Sequence, residues 1–274
     1  MTDKQKRKTE ALAAFAELID IIDTLRSPGG CPWDRKQTSK TLKPYFIEET
    51  YEALDAIDNN DFSHLREELG DVLLQIMLHS QIAFESEEFH IGHVISGLAR
   101  KMIQRHPHVF ADVQVDGEAD VLKNWEQIKA EEKKDKGILD GVPRALPGLL
   151  RAYRMGQKVG RVGFDWPSIE GVREKVHEEL AELHDALEAQ DADSIFQEMG
   201  DVLFAMAQWA RHIGVDPEDS LRQCCNRFGN RFAHVENSVM VNNRSIREYS
   251  LDELEQLWKQ AKENEQLRKF ASEQ

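Results

Sequence analysis

EETYEALDAIDNNDFSHLREELGDVL, residues 48–73, and EELAELHDALEAQDADSIFQEMGDVL, residues 178–203, align without a gap when the sequence is shifted by 130 positions, which takes 48 to 178. Identities fall at Glu48/Glu178, Glu49/Glu179, Glu52/Glu182, Asp55/Asp185, Ala56/Ala186, Asp61/Asp191, Glu68/Glu198, Gly70/Gly200, Asp71/Asp201, Val72/Val202 and Leu73/Leu203. Acids dominate the shared positions. Internal repetition decides architecture, so it takes precedence over local features. Downstream the likeness continues with small changes of offset. LARKMIQRHPHVF, with Lys101 and Arg105, matches CCNRFGNRFAHVE, with Arg227 and Arg231; NWEQIK, with Trp125 and Lys129, matches QLWKQAK, with Trp258 and Lys262. The chain reads as a tandem duplication.

Each copy reads as helical. Apolar residues recur at three and four spacing in LAAFAELIDIIDTL, LGDVLLQIMLHSQIAF and MGDVLFAMAQWARHI, while strand-like alternation between turn signals is scarce. Asn59-Asn60-Asp61 breaks the first acidic stretch and Gln190-Asp191-Ala192-Asp193 the second, so each is two consecutive helices joined by a short turn. Between the copies, KKDKGILDGVPRALPGL (133–149) interrupts the periodicity with glycine and proline, as a linker does. The predicted architecture is all-α: two tandem helical-bundle domains, 1–140 and 141–274. Bundles built from such short hairpins call for a second chain, so a homodimer is expected.

Glu49 and Glu52 are three apart and share a helix face; so do Glu68 and Asp71 on the following helix. Were the two faces opposed, carboxylates about 4 Å apart would repel by roughly 4 kcal/mol per pair at an effective dielectric near 20. A cation must compensate. Mg²⁺ suits the task, because it accepts oxygen ligands singly and keeps positions for water or substrate phosphates; Mn²⁺ is an expected substitute. One EExxE on its own is what any solvated helix carries. Recurrence at identical spacing is less ordinary, and Asp71 and Asp201 precede apolar stretches where an uncompensated carboxylate is costly.

Composition narrows the function classes. The 274 residues include 50 acidic and 35 basic ones, for a formal charge of -15, which argues against binding a nucleic-acid polymer. Cys31, Cys224 and Cys225 form neither a disulfide framework nor a CxxC pair. No stretch reaches the roughly 18 uninterrupted apolar residues of a membrane helix, and Glu17, Asp20 and Asp23 break any signal-peptide core, so a cytoplasmic protein without membrane attachment is expected. There is no GxxxxGK[ST] loop. REELGD (66–71) lacks the further glutamates of the Nudix pattern. A di-iron bundle needs ExxH twice; Glu174 and His177 supply one, but Pro44 and Ile47 stand at the equivalent positions.

EExxE followed by ExxD on consecutive helices, GCPWD near the start, RHPHVF, and DGVPRALPGLLRA (140–152) together resemble the MazG family, all-α nucleoside triphosphate pyrophosphohydrolases, in their long two-domain form. The resemblance spans nearly the whole chain. It implies Mg-dependent hydrolysis of a nucleoside triphosphate to the monophosphate and pyrophosphate in a homodimer, broad in base and suited to cleansing the nucleotide pool. Carried over, the metal ligands are Glu179, Glu182, Glu198 and Asp201, with Glu49, Glu52, Glu68 and Asp71 as counterparts. Glu178 and Glu48 are left over, either as catalytic carboxylates that hold water or a second ion, or as plain surface residues. Lys175, Arg227, Arg231 and Lys262 can clamp a triphosphate and Trp258 or Trp166 can stack on a base, though solvated arginines and core tryptophans are equally common. His108 and His234 read as packing or capping residues. Lys101, Arg105, Trp125 and Lys129 stand for the clamp in the first copy, but Tyr45 replaces Lys175, so turnover is expected in the second copy. Two rivals share these features: a dUTPase-like enzyme selective for one pyrimidine nucleotide, and a non-catalytic scaffold whose acids dock a basic partner. Product analysis with Mg²⁺ and each triphosphate separates all three.

Overall fold

The computed structural model describes residues 2–131, 137–241 and 245–272. Helices account for all regular structure among them, and the chain divides into two compact units, Met1–Lys134 and Asp135–Gln274. The first holds α1 (Asp3–Arg26), α2 (Pro32–Lys36), α3 (Ser39–Asp58), α4 (Phe62–Glu85), α5 (Ile91–Arg105), α6 (Pro107–Phe110) and α7 (Glu118–Glu131). The second holds α8 (Gly148–Gly160), α9 (Ile169–Ala189), α10 (Ala192–His212), α11 (Pro217–Val241), a 3-10 turn at Ile246–Glu248 and α12 (Leu251–Ser272). Ile138 belongs with the second unit, since Lys158 of α8 donates to its carbonyl at 3.2 Å.

The two acid-bearing hairpins, α3–α4 and α9–α10, turn in the same way. Asn60 and Gln190 each take a left-handed conformation, with φ of 53° and 55°, and reverse the chain after the first helix. The next residue caps the second helix. Asp61 accepts from Ser63 N and His64 N, and Asp191 from Asp193 N, in each case satisfying amides that the first turn leaves unpaired. These turns bring the acidic faces of consecutive helices together.

In the first unit Ile22 of α1, Leu42 of α3 and Met77 and Leu78 of α4 form the buried core, flanked by Phe15, Ile19 and Ile91. Full burial of each such side chain contributes roughly 2 kcal/mol. Arg26 closes the end of α1 by a two-point pair with Glu85, at 2.7 Å for both contacts, and by donating to the carbonyls of Asp34 and Gln37.

Small residues let the second unit pack closely: Ala152 and Gly156 on α8, Ala186 on α9, and Ala205 and Ala207 on α10 are buried. Gly156 is required there, since a Cβ would stand 1.7 Å from Gln208 Oε1. Fully buried Gln208 donates to Ala152 O at 2.8 Å and accepts from Arg211 Nε at 2.9 Å. Arg211 then grips Asp165 through both Nη atoms, at 2.8 and 2.6 Å, and His212 Nε2 lies 2.9 Å from the same carboxylate. A polar chain thus runs from α8 through α10 to the segment that leads into α9.

The hydrogen bonds from Arg211, and then those from His212, hold Asp165 well below the usual carboxylate range against an opposing push from burial. A depressed folded-state pKa gives stabilisation that is present above the unfolded value, about 3.9, and lost as pH falls through the folded one. Asp165→Asn is therefore expected to cost about 2 kcal/mol near neutrality, as removing one partner of a half-buried charge pair does. Thermal melts of the variant and the parent should converge only well below pH 3.9; equal melting at pH 7 would show that the network adds nothing.

No helix among the described residues is long and apolar enough to cross a membrane.

Candidate metal centres and nucleotide site

On α3 and α4, Glu49, Glu68 and Asp71 each offer a carboxylate oxygen within 4.8 Å of the others. Glu68 is only 5% exposed, and its Oε2 is buried without a hydrogen-bond donor among the described residues. Its other oxygen lies 2.8 Å from His64 Nε2, one turn earlier. Burial first, and then the charge of Glu52, pushes the Glu68 carboxyl up, partly offset by His64. Glu49 is also raised, by burial and then by Asp71, Glu52 and Glu68. Glu52 is exposed and stands outside the group of three, as does exposed Glu48.

A second group forms on α9 and α10 from Glu179, Glu182 and Glu198, again within 4.8 Å. Glu179 is 7% exposed, and Glu182 is pushed up by desolvation and by the charges of Glu179 and Glu198. Asp201 is exposed and outside this group. Each hairpin thus brings together three of the four acids expected there, but not the same three.

Lys175 makes the clearest difference between the copies. Its ammonium lies 2.8 Å from Glu178 Oε1 and 2.8 Å from Glu179 Oε1, and these two partners raise its pKa. Glu178 is exposed and held by this lysine. In the first unit Tyr45 takes the lysine's place and packs edge-on to Trp33, with centroids 6.0 Å apart.

The aromatic and basic residues pair similarly in both units. Arg105 Cζ lies 5.6 Å from the Trp125 ring centroid, and Arg231 Cζ lies 5.9 Å from that of Trp258. Such contacts favour a cation over an indole face. Arg231 Nε also donates to Glu265 at 2.8 Å, while Phe228 packs on Trp258 at 4.9 Å. Arg227, Lys262 and Lys101 are exposed; the Lys129 side chain lies outside the described residues. Trp166 covers Gly171 in the first turn of α9, where a Cβ would meet its Cδ1 at 2.8 Å, and stands edge-on to His212. It serves packing in this state. His108 and His234 are half-buried, and His108 Nδ1 has no partner among the described residues.

Two features escaped the sequence reading. His64 precedes Glu68 by four residues, a spacing that signals a same-face pair. The Asp165–Arg211–His212 network joins residues 46 and 47 positions apart and has no local signal.

The profile of the MazG nucleotide pyrophosphohydrolase domain matches the chain twice, over residues 37–110 and 168–236, and each match contains one acid-bearing hairpin. The chain belongs to the MazG family of nucleotide pyrophosphohydrolases. It is 41% identical over 254 residues to the nucleoside triphosphate pyrophosphohydrolase of Escherichia coli, covering 90% of this chain and 97% of that protein. Against the nucleoside triphosphate pyrophosphohydrolase/pyrophosphatase MazG of Thermotoga maritima the identity is 43% over 255 residues, covering 92% and 97%. A crystal structure of a mazG-related protein from Thermotoga maritima aligns with 42% of this chain and 97% of its own, at 28% identity and a TM-score of 0.37.

Proposed function

We propose that the chain is a nucleoside triphosphate pyrophosphohydrolase that releases pyrophosphate and a nucleoside monophosphate with Mg²⁺ as its cofactor, and that the second unit carries turnover. The observation behind this reading is the pair of carboxylate groups at equivalent places in the two hairpins. A hard divalent cation fits the donor set: all ligands are oxygens, and the buried Glu68 Oε2 has no donor among the described residues that would otherwise satisfy it. The relatives' names and the family membership support the reaction.

Glu179, Glu182 and Glu198, with Asp201 close in sequence, would hold the ion in the second unit, and Glu49, Glu68 and Asp71, with Glu52, in the first. Bound there, magnesium supplies charge neutralisation for the triphosphate and a more acidic water. The remaining work falls to the protein. Lys175 sits beside the acids and is placed to meet phosphate oxygens, while Arg227, Arg231 and Lys262 add positive charge for the outer phosphates. Trp258, already backed by Arg231 and Phe228, offers a face for the base. Glu178 is a carboxylate that can orient a water when Lys175 turns to substrate; Glu48 is its counterpart. Lys101, Arg105 and Trp125, with Lys129, are the corresponding groups in the first unit.

Exposed apolar residues on both hairpins, including Phe62 at 80% and Phe196 at 82%, support a homodimer that covers them. A base-tolerant activity in the cytoplasm, removing unwanted nucleotides from the pool, agrees with this reading. Incubating the full chain with Mg²⁺ and each common triphosphate, with chromatographic separation of products, tests it. Monophosphate plus pyrophosphate from several bases is expected. Diphosphate plus phosphate, or no product, would overturn the assignment, and a single productive pyrimidine nucleotide would restrict it to a selective enzyme.

A further inference from the structure

A cavity of about 490 Å³ lies within the second unit, between the segment 139–144 and α8. It is built from DGVPRALPGLLRA (140–152), a stretch that the acid site does not use. Its polar lining is Asp140, Arg144 and Arg151. Arg151 is half-buried, and its Nε is enclosed with no hydrogen-bond partner among the described residues. Among the described residues, no hydrogen bond or ion pair holds either guanidinium.

Exposed Arg227 and Arg247 of the same unit likewise have no hydrogen bond or ion pair among the described residues, whereas Arg151 is half-buried. Elsewhere in the same unit Arg211 is paired with Asp165, Arg222 with Asp219 and Arg231 with Glu265. Asp140 shares the cavity wall with the two arginines, yet its Oδ2 accepts from Gly137 N at 2.7 Å. A buried donor without a protein acceptor is rare in folded proteins, and such a donor takes a water or a bound ion. Two arginines offer the forked donors that suit phosphate oxygens. The rest of the wall, Leu139, Val142, Pro143 and Met155, is apolar. Small-molecule sites combine such walls with a few convergent polar groups, and this volume is within their range of about 300–1,000 Å³.

We propose that this cavity is a second ligand site, which binds a phosphate monoester through Arg144 and Arg151 and seats the ester's organic part against the apolar wall. A nucleoside monophosphate, the product class of the proposed reaction, has both parts. The inference takes that candidate ligand from the proposed function but rests on the cavity and its arginines, and it is tested without metal or turnover.

The experiment is calorimetric titration of the full chain in EDTA with adenosine monophosphate and, separately, inorganic phosphate. Without a divalent ion the acid groups repel both anions, so failure of the pyrophosphohydrolase reading leaves the result unaffected. Adenosine monophosphate should bind the parent saturably. Arg144→Ala, at an exposed position, and Arg151→Lys, which keeps the charge but loses the forked donors, should each weaken it about tenfold or more. Arg154→Ala, on α8 but outside the cavity wall, should bind as the parent does. Equal binding of inorganic phosphate, lost in the same two variants, would support the anion site with the free ion as its ligand. Absence of saturable binding by either probe, or binding that Arg144→Ala and Arg151→Lys leave unchanged, overturns the proposal.

Discussion

Glu198→Gln is expected to lower pyrophosphate release on the order of a thousandfold while leaving the helical circular-dichroism signal intact, the loss that follows when an oxygen ligand of a catalytic ion is neutralised. The side chain sits half-buried on α10 and supplies one of three mutually close carboxylates, the others coming from α9. Glutamine keeps its volume and its helix propensity, so packing is not disturbed. What changes is charge. One carboxylate fewer relieves repulsion in the metal-free protein and at the same time weakens the attraction for a divalent ion.

That opposition gives the prediction a signature that a purely structural glutamate would not produce. In EDTA the variant should melt at or above the temperature of the parent. In millimolar Mg²⁺ the parent should gain stability through ligand binding while the variant gains little. Glu182→Gln should behave alike, because desolvation and the same neighbours push that carboxyl up. Asp201→Asn separates the structure from the repeat pattern: Asp201 matches Asp71 in sequence but stands outside the group that Glu198 belongs to. Its loss is expected to be smaller than that of Glu198→Gln. Full activity in Glu198→Gln would remove the metal reading from the second unit.

Much of this arrangement was legible because it is local. Spacings of three within Glu49–Glu52 and Glu68–Asp71 fix shared helix faces, and the Asp61 and Asp191 caps mark the second helix of each hairpin. Once a short turn joins two helices, their facing sides must meet. The repeat marked Arg105, Trp125, Arg231 and Trp258 as equivalent residues, but their pairing, Arg105 with Trp125 and Arg231 with Trp258, is seen only in the structure. What spacing does not determine is which carboxylates approach most closely, since that depends on rotamers and on how two helices are rotated against each other. Hence Asp71 joins its group of three and Asp201 does not, while Glu182 joins and Glu52 meets Glu68 without completing one. The link from Ala152 through Gln208 and Arg211 to Asp165 was hidden for a stronger reason. It passes through three separate segments, and only the closeness permitted by Gly156 brings them together.

Lys175→Ala should raise KM for triphosphate by about tenfold or more and, in the absence of nucleotide, tighten divalent-ion binding to the second unit by about tenfold. The two effects have one origin. In the structure the Lys175 ammonium lies 2.8 Å from Glu179 Oε1, an oxygen of the group that would hold the ion, and 2.8 Å from Glu178. An ammonium and a divalent ion compete for the same negative charge, so the lysine must be displaced before an ion gains full use of Glu179. When a triphosphate arrives with the ion, its oxygens offer the lysine a new partner, and the displacement is no longer opposed. The side chain is 35% exposed, so solvent screening keeps the competition near a factor of ten rather than the much larger value of a buried pair. Glu178 and Glu179 raise the lysine's pKa, and a raised amine pKa keeps the competing charge in place at every pH near neutrality. The first unit provides the internal control, because Tyr45 stands at the equivalent position and carries no such charge. Titration with Mn²⁺ followed by electron paramagnetic resonance should resolve two classes of site in the parent, the tighter in the first unit, and Lys175→Ala should bring them together. If the lysine only supports α9, ion affinity will not move and KM will rise alone or not at all. If the ion affinity falls, the ammonium assists binding rather than competing with it.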